Sequence, residues 1–196
     1  PAARNSGIGE AGTQTATLAF GGLPAPGVTL HYDGTSWSAP GSDINTNRYT
    51  MGSFGIQTAA IGAGGDPGTV DTVEQYNGSS WTEIAEINTA RRQGTIGGGT
   101  TTDAVIGSGL NASNGLLTNT ETWNGSAWTE VSEMNTGRKG GSSSQNGVST
   151  SIIAAGGRNP PNDSRTITEL WDGTSWTETN DLSQKRYQGQ GAGTGT

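Results

Sequence analysis

The side chains best placed to do chemistry here are carboxylates, arginines and one histidine, and most of them recur at fixed spacing. Glu83 with Glu86 and Glu130 with Glu133 form spaced pairs, and Asp181 stands near the place of Glu133 in the last copy. Two neighbouring carboxyls suit general acid–base work, in which one takes a proton and the other gives one. Recurrence argues against that role, because an active site is usually asymmetric whereas structural positions repeat. Arginine closes each copy of a phrase, at Arg48, Arg91, Arg138 and Arg186, and Arg4 precedes Arg48 by 44 residues. A guanidinium suits carboxylate, sulfate or phosphate through bidentate contacts. The competing account, which we favour, is structural: each arginine pairs with a Glu of its own or the adjacent phrase, as Arg91 with Glu86. His31 is the single histidine and there is no cysteine. A multi-histidine or thiolate metal site within one chain is therefore excluded, and His31 beside Tyr32 reads as a packing or surface residue. Neither a GxSxG elbow, an HExxH helix nor a lysine-bearing phosphate loop occurs. The chain is expected to be no enzyme and to need no cofactor or metal.

The elements that position these groups follow from the repeat. NGSSWTEIAEINTAR (77–91), NGSAWTEVSEMNTGR (124–138) and DGTSWTETNDLSQKR (172–186) spell one phrase, with a degenerate first copy at 33–48. Trp37, Trp81, Trp128 and Trp176 recur at separations of 44, 47 and 48 residues, a period typical of propellers and solenoids. Five residues before each Trp stands another aromatic, Tyr32, Tyr76, Trp123 or Trp171. Between the two lie DGTS, NGSS, NGSA and DGTS; Asn-Gly and Asp-Gly signal a tight hairpin whose central residues take positive φ. Asn77 and Asn124 also open glycosylation sequons, but turn chemistry explains them without a sugar. Upstream in each unit come a Gly/Ser-rich stretch and a short apolar run, as in AAIGAGG. Helical periodicity appears nowhere.

Four short strands per unit, repeated, predict an all-β fold of four-stranded antiparallel blades in one domain, 1–196, with units 4–47, 48–90, 91–137 and 138–185. Residues 186–196 read as one further first strand. Only 29% of residues are hydrophobic and 34 are Gly, so glycine is expected to thin the hub while the eight paired aromatics form the core. The net charge of -7 excludes a nucleic-acid partner, whose phosphates demand basic surface. No apolar run approaches the length that spans a bilayer, and PAARNSGIGE lacks the apolar segment of a secretion signal, so a soluble chain with no membrane partner is expected.

Arginine, apolar run with double glycine, aromatic and Trp, in that order, resemble the kelch motif of β-propellers over essentially the whole chain. Gly21-Gly22, Gly64-Gly65 and Gly156-Gly157 match the double glycine, while the third unit departs from it with Gly109-Leu110. The wording NGSSWTE...NTAR also resembles degenerate kelch-like repeats of phage virion and fibre proteins, especially of marine phages. Copper oxidase chemistry known among kelch propellers needs a cysteine-linked tyrosine and histidine ligands, which this chain does not supply. From kelch proteins that bind acidic peptides, the resemblance implies a ring of Arg4, Arg48, Arg91, Arg138 and Arg186 around the channel mouth. It leaves closure open between a piece of a longer array, a compact ring, and a protomer that completes its last blade with a neighbour's strand.

Loops after the apolar run differ among units, which is how rigid β scaffolds carry recognition. Asn111, Asn114, Arg158, Asn159, Asn162, Asp163 and Arg165 populate them, either as groups for sugar hydroxyls and protein backbone or as solvated loop tips. The expectation is a non-enzymatic structural or binding module on a virion or in the extracellular space. Its expected partners are other virion or surface proteins, a cell-surface glycan, or a second copy bound through the extra terminal strand. The alternatives are a lectin-like receptor-binding domain and a polysaccharide-acting enzyme with a site in the channel.

Overall fold

A computed structural model describes residues 7–93, 96–144, 148–159, 163–189 and 191. Four antiparallel four-stranded sheets are arranged as a four-blade propeller, with no helix among the described residues. Blade one holds β1 (Gly9–Thr13), β2 (Ala16–Phe20), β3 (Thr29–Tyr32) and β4 (Trp37–Ser38). Blade two holds β5 (Gly52–Ile56), β6 (Ala59–Ala63), β7 (Val73–Tyr76) and β8 (Trp81–Ile84). Blade three holds β9 (Ile96–Gly99), β10 (Ala104–Gly107), β11 (Thr120–Trp123) and β12 (Trp128–Val131). Blade four runs β13 (Ser142–Ser143), β14 (Ile152–Ala155), β17 (Thr168–Trp171) and β18 (Trp176–Thr179), and carries a two-stranded ribbon, β15 (Arg158–Asn159) with β16 (Asp163–Ser164). Each blade is a meander, and the first strands pack side by side, β1 on β5, β5 on β9 and β9 on β13.

The hairpin between third and fourth strands works differently from the tight turn expected. Tyr76 pairs with Trp81, leaving a four-residue loop. Asn77 Oδ1 accepts the backbone N–H of Ser79 and Ser80 at 3.0 and 2.9 Å, and of the loop residues 77–80 only Gly78 takes positive φ, at 96°. Asp33, Asn124 and Asp172 do the same in their blades. Asn and Asp are thus interchangeable here because the side-chain acceptor, not an Asn φ, closes the turn.

Apolar layers fill the space between successive blades. Phe20, Leu18 and Ile44 of unit one meet Tyr76 and Trp81 of blade two; Phe54, Ile61 and Ile87 meet Trp123 and Trp128; Ile96, Val105 and Met134 meet Trp171 and Trp176. Within each aromatic pair the rings lie 5.1–5.5 Å apart and tilted. Two expected core residues depart: Tyr32 is half-buried and Trp37 is 40% exposed, against 5–6% for Trp81, Trp128 and Trp176. Those three press on the blade before them, and no described residue offers blade one such a neighbour.

A run of backbone bonds stitches the units together just after each arginine. Thr50, Gln93, Gly140 and Gln188 donate N–H in turn to the carbonyls of Gly7, Thr50, Gln93 and Gly140, at 2.8–3.2 Å. All five residues take φ between 55 and 67°, a conformation uncommon for Thr and Gln and held here by the stitching. Gln188 makes this bond although 186–189 form no assigned strand; 190 and 192–196, the rest of the expected fifth first strand, lie outside the described residues.

Candidate functional site

Three of the repeated arginines are buried. Arg48, Arg91 and Arg138 are 0–1% exposed, which removes them from any ring open to an anion. Their partners are Glu74, Glu121 and Glu169, two residues before each first aromatic, and not Glu86. Arg91 donates to Glu121 at 2.8 Å and to the carbonyls of Ser108 and Asn119 at 3.1 and 3.0 Å. Arg48 does likewise with Glu74 and the carbonyls of Gly64 and Thr72. Burial pushes all three guanidinium groups below their ordinary range, and the facing glutamates push back.

Each buried glutamate also clamps the preceding unit. Glu121 accepts from the backbone and side-chain N–H groups of Asn88 at 2.6 and 2.9 Å, and Asn88 Nδ2 reaches the Trp128 carbonyl at 3.1 Å. Asn45 with Glu74 and Trp81, and Asn135 with Glu169 and Trp176, repeat the arrangement. The double glycine belongs to the same device. Gly65 N–H donates to the Arg91 carbonyl at 2.8 Å, and a Cβ on Gly64 would meet that oxygen at 2.5 Å. In unit three the equivalent pair is Ser108-Gly109, not Gly109-Leu110: Ser108 takes φ 63°, and its hydroxyl donates to the Arg138 carbonyl at 2.6 Å. Arg, Glu, Asn and the glycine pair therefore form one lock between blades. Blade one has Leu30 where the others have Glu.

The recurring carboxylates flagged for catalysis sit at the surface. Glu83 and Glu130 lie directly across their sheets from Glu74 and Glu121, within the field of Arg48 and Arg91. Asp181 accepts from Thr166 at 2.8 Å. The His31 Nε2 lies 3.0 Å from Tyr76 Oη, which donates to the Gly78 carbonyl at 2.9 Å. With the Tyr proton committed to that carbonyl, Nε2 carries the ring's hydrogen. Burial lowers the His31 pKa and raises that of Tyr76, which suits two neutral packing partners.

What the structure gathers instead is the remaining basic charge, part of it paired. Beyond the three buried arginines, every described Lys or Arg lies at the end of units two to four that carries the loops between second and third strands. Lys139 pairs along the backbone with Arg158, and Arg165 with Arg186. Arg158 stacks on the Tyr187 ring at 3.8 Å and donates to Ser164; Arg165 donates to Asn159 Oδ1 at 3.1 Å. Asp163 meets Lys185 at 2.7 Å, which holds its carboxyl below the usual range. The exposed Arg186 guanidinium reaches, among the described residues, the Lys185 carbonyl and Gln184 Oε1. Asn111 and Asn114 stand with a different group: Asn111 Oδ1 closes its own loop through Ser113 and Gly115, and Asn114 accepts from Arg92, which also meets Asp66 at 3.4 Å. Arg4 and Asn162 lie outside the described residues. Sequence reasoning missed Glu74, Glu121, Glu169 and their asparagines, although N-T-x-R and the Glu two residues before each aromatic were there to be counted.

No protein-family model matches this chain, and no curated protein matches it. Among solved structures, one titled "Structure of YjhT", a propeller, superposes with a TM-score of 0.77 over 94% of this chain and 68% of that one, at 12% identity. At that identity the likeness carries the fold alone, a β-propeller.

Proposed function

We propose that this chain is a non-enzymatic binding and structural module of kelch-like repeats, carried on a phage virion or fibre or another extracellular assembly. A rigid array of blades presents the loops of units three and four for attachment or protein–protein contact. The observation behind this reading is a division of labour: Arg48, Arg91 and Arg138 are consumed with their glutamates in locking blades together, while the other described basic residues collect at one loop-bearing end. In a chain of net charge -7, a local gathering of Arg and Lys side chains is a directional feature that favours an acidic glycan or an acidic protein segment. The β15–β16 ribbon, braced by Arg165 on Asn159, favours the lectin-like version of the reading, because side chains held on paired strands have less entropy to lose on binding.

Screening the protein on arrays of acidic glycans and acidic peptides, together with the variant Arg165→Glu/Lys185→Glu, tests this. Binding that the double variant loses while its unfolding midpoint stays put supports the proposal. Turnover of a polysaccharide, or binding indifferent to the charge reversal, overturns it.

A further inference from the structure

The turns joining third to fourth strands are spelled with Asn in blades two and three and with Asp in blades one and four, and the fold treats the two alike. Asn77 and Asn124 each precede a glycine, as Asn114 does in a different loop. In an Asn-Gly pair the glycine backbone nitrogen can attack the asparagine Cγ. Its rate depends on whether that nitrogen is free, whether donors meet the oxygen that gains charge, and whether the amide leaves into solvent. Asn77 and Asn124 are exposed, and neither Gly78 nor Gly125 donates its N–H to any described residue. Asn77 Oδ1 accepts the backbone N–H of Ser79 and Ser80 and the Ser79 hydroxyl at 2.9–3.0 Å. Asn124 Oδ1 accepts those of Ser126 and Ala127 and the Ser126 hydroxyl, also at 2.9–3.0 Å. Donors grouped in this way stabilise negative charge on the oxygen as the carbon becomes tetrahedral. Asn114 differs in its nucleophile. Arg92 polarises its Oδ1 at 2.6 Å, but the Gly115 N–H is already given to Asn111 Oδ1 at 2.8 Å.

We propose that Asn77 and Asn124 are sites of spontaneous covalent modification, each deamidating in the folded protein and ending as aspartate. The Gly78 nitrogen gives its proton to solvent base and bonds to Asn77 Cγ; the Cγ–Nδ2 bond breaks and ammonia leaves, giving a cyclic succinimide. Water then opens the ring. Cleavage of the Cγ–N bond restores the glycine N–H and leaves an Asp carboxylate, whereas cleavage at the main-chain carbonyl leaves isoaspartate. Either way water enters and ammonia departs, and nothing is oxidised or reduced. The turn selects the first product. Asp33 and Asp172 already fill this place in their own blades, each Oδ1 accepting the same two backbone N–H groups at 2.8 Å. Isoaspartate instead inserts a methylene into the backbone between the paired Tyr76 and Trp81 and takes the side-chain acceptor out of position. Gly125 and Asn124 follow the same course between Trp123 and Trp128. Conversion therefore adds carboxylates at the end of the blades opposite the loops that join second and third strands.

The full chain, kept folded in mildly alkaline buffer, is sampled over time by peptide mapping with mass spectrometry, and isoaspartate is scored separately with an isoaspartyl methyltransferase. A parallel sample in urea is the reference, in which the three Asn-Gly pairs react alike and isoaspartate predominates. In the folded chain, conversion of Asn77 and Asn124 mainly to Asp supports the proposal, with Asn114 about tenfold slower because one hydrogen bond must break first. The variant Asn77→Asp/Asn124→Asp, which carries the product from the start, is expected to unfold at the parent's midpoint. Absence of conversion in the folded chain, equal folded-state rates at all three sites, or isoaspartate as the main folded-state product overturns the proposal. An earlier unfolding midpoint for the double variant also overturns it, since the turns would then not accept the acid.

Discussion

Blades one and three are written almost alike and fare differently. Both carry an aromatic pair across the same hairpin, yet Trp128 is 6% exposed and Trp37 40%. The spelling of a repeat specifies the strand and the turn; the neighbour specifies whether a ring is core or surface. Polar residues follow the same division. Where an aromatic pair is covered, a Glu stands two residues before it and an Arg is buried with it, and in blade one, where Trp37 is exposed and Tyr32 half-buried, Leu30 stands in the Glu's place. The charged lock accompanies covered faces, because a buried glutamate is tolerable only with its full set of donors.

Breaking the lock gives the largest contrast. Glu121→Ala leaves Arg91 charged, buried and missing its carboxylate, and is expected to cost about 3–5 kcal/mol in urea unfolding. Leu30→Ala at the same place in blade one is expected to cost about 1 kcal/mol. Equal losses would show that the lock is not what separates the two blades. Next in size is Asn88→Ala, which frees one Glu121 oxygen and the Trp128 carbonyl from side-chain donors; a loss of about 1–2 kcal/mol is expected in the same unfolding assay.

A smaller effect sharpens the comparison among covered faces. Trp128 Nε1 is buried without a partner because unit two has Val73 where Thr29 and Thr120 supply a hydroxyl to Trp81 and Trp176. Val73→Thr is expected to stabilise by about 0.5–1 kcal/mol in the same assay; destabilisation would mean that the hydroxyl costs more to bury than the indole gains. The smallest effect is confined to the turns. Backbone N–H groups of Ser36 and Thr35 lower the Asp33 pKa, and those of Ser175 and Thr174 lower that of Asp172. A depressed carboxylate supports its turn above the unfolded pKa and loses that support as pH falls through the folded one, below the usual carboxylate range near about 4. Amide exchange at Thr35, Ser36, Thr174 and Ser175 should therefore quicken with acid relative to Ser79, Ser80, Ser126 and Ala127, whose acceptors are asparagines that do not titrate. Parallel behaviour of all four turns would contradict that assignment.

By itself the sequence determined the local and the periodic: strands rather than helices, a four-stranded unit, the Asn/Asp-Gly hairpin and the aromatic pair that straddles it. These follow from turn chemistry, alternation and spacing within a few residues. Tertiary structure alone decided what is held by contact across the repeat. It buried Arg91 against Glu121, 30 residues away, rather than beside Glu86; it moved the double-glycine role onto Ser108-Gly109; it left Trp37 in solvent and drew the unrepeated basic residues to one end. A repeated phrase supplies the same donors, acceptors and rings each time, but a desolvated charge is satisfied, and a ring is covered, only by the blade that folds next to it.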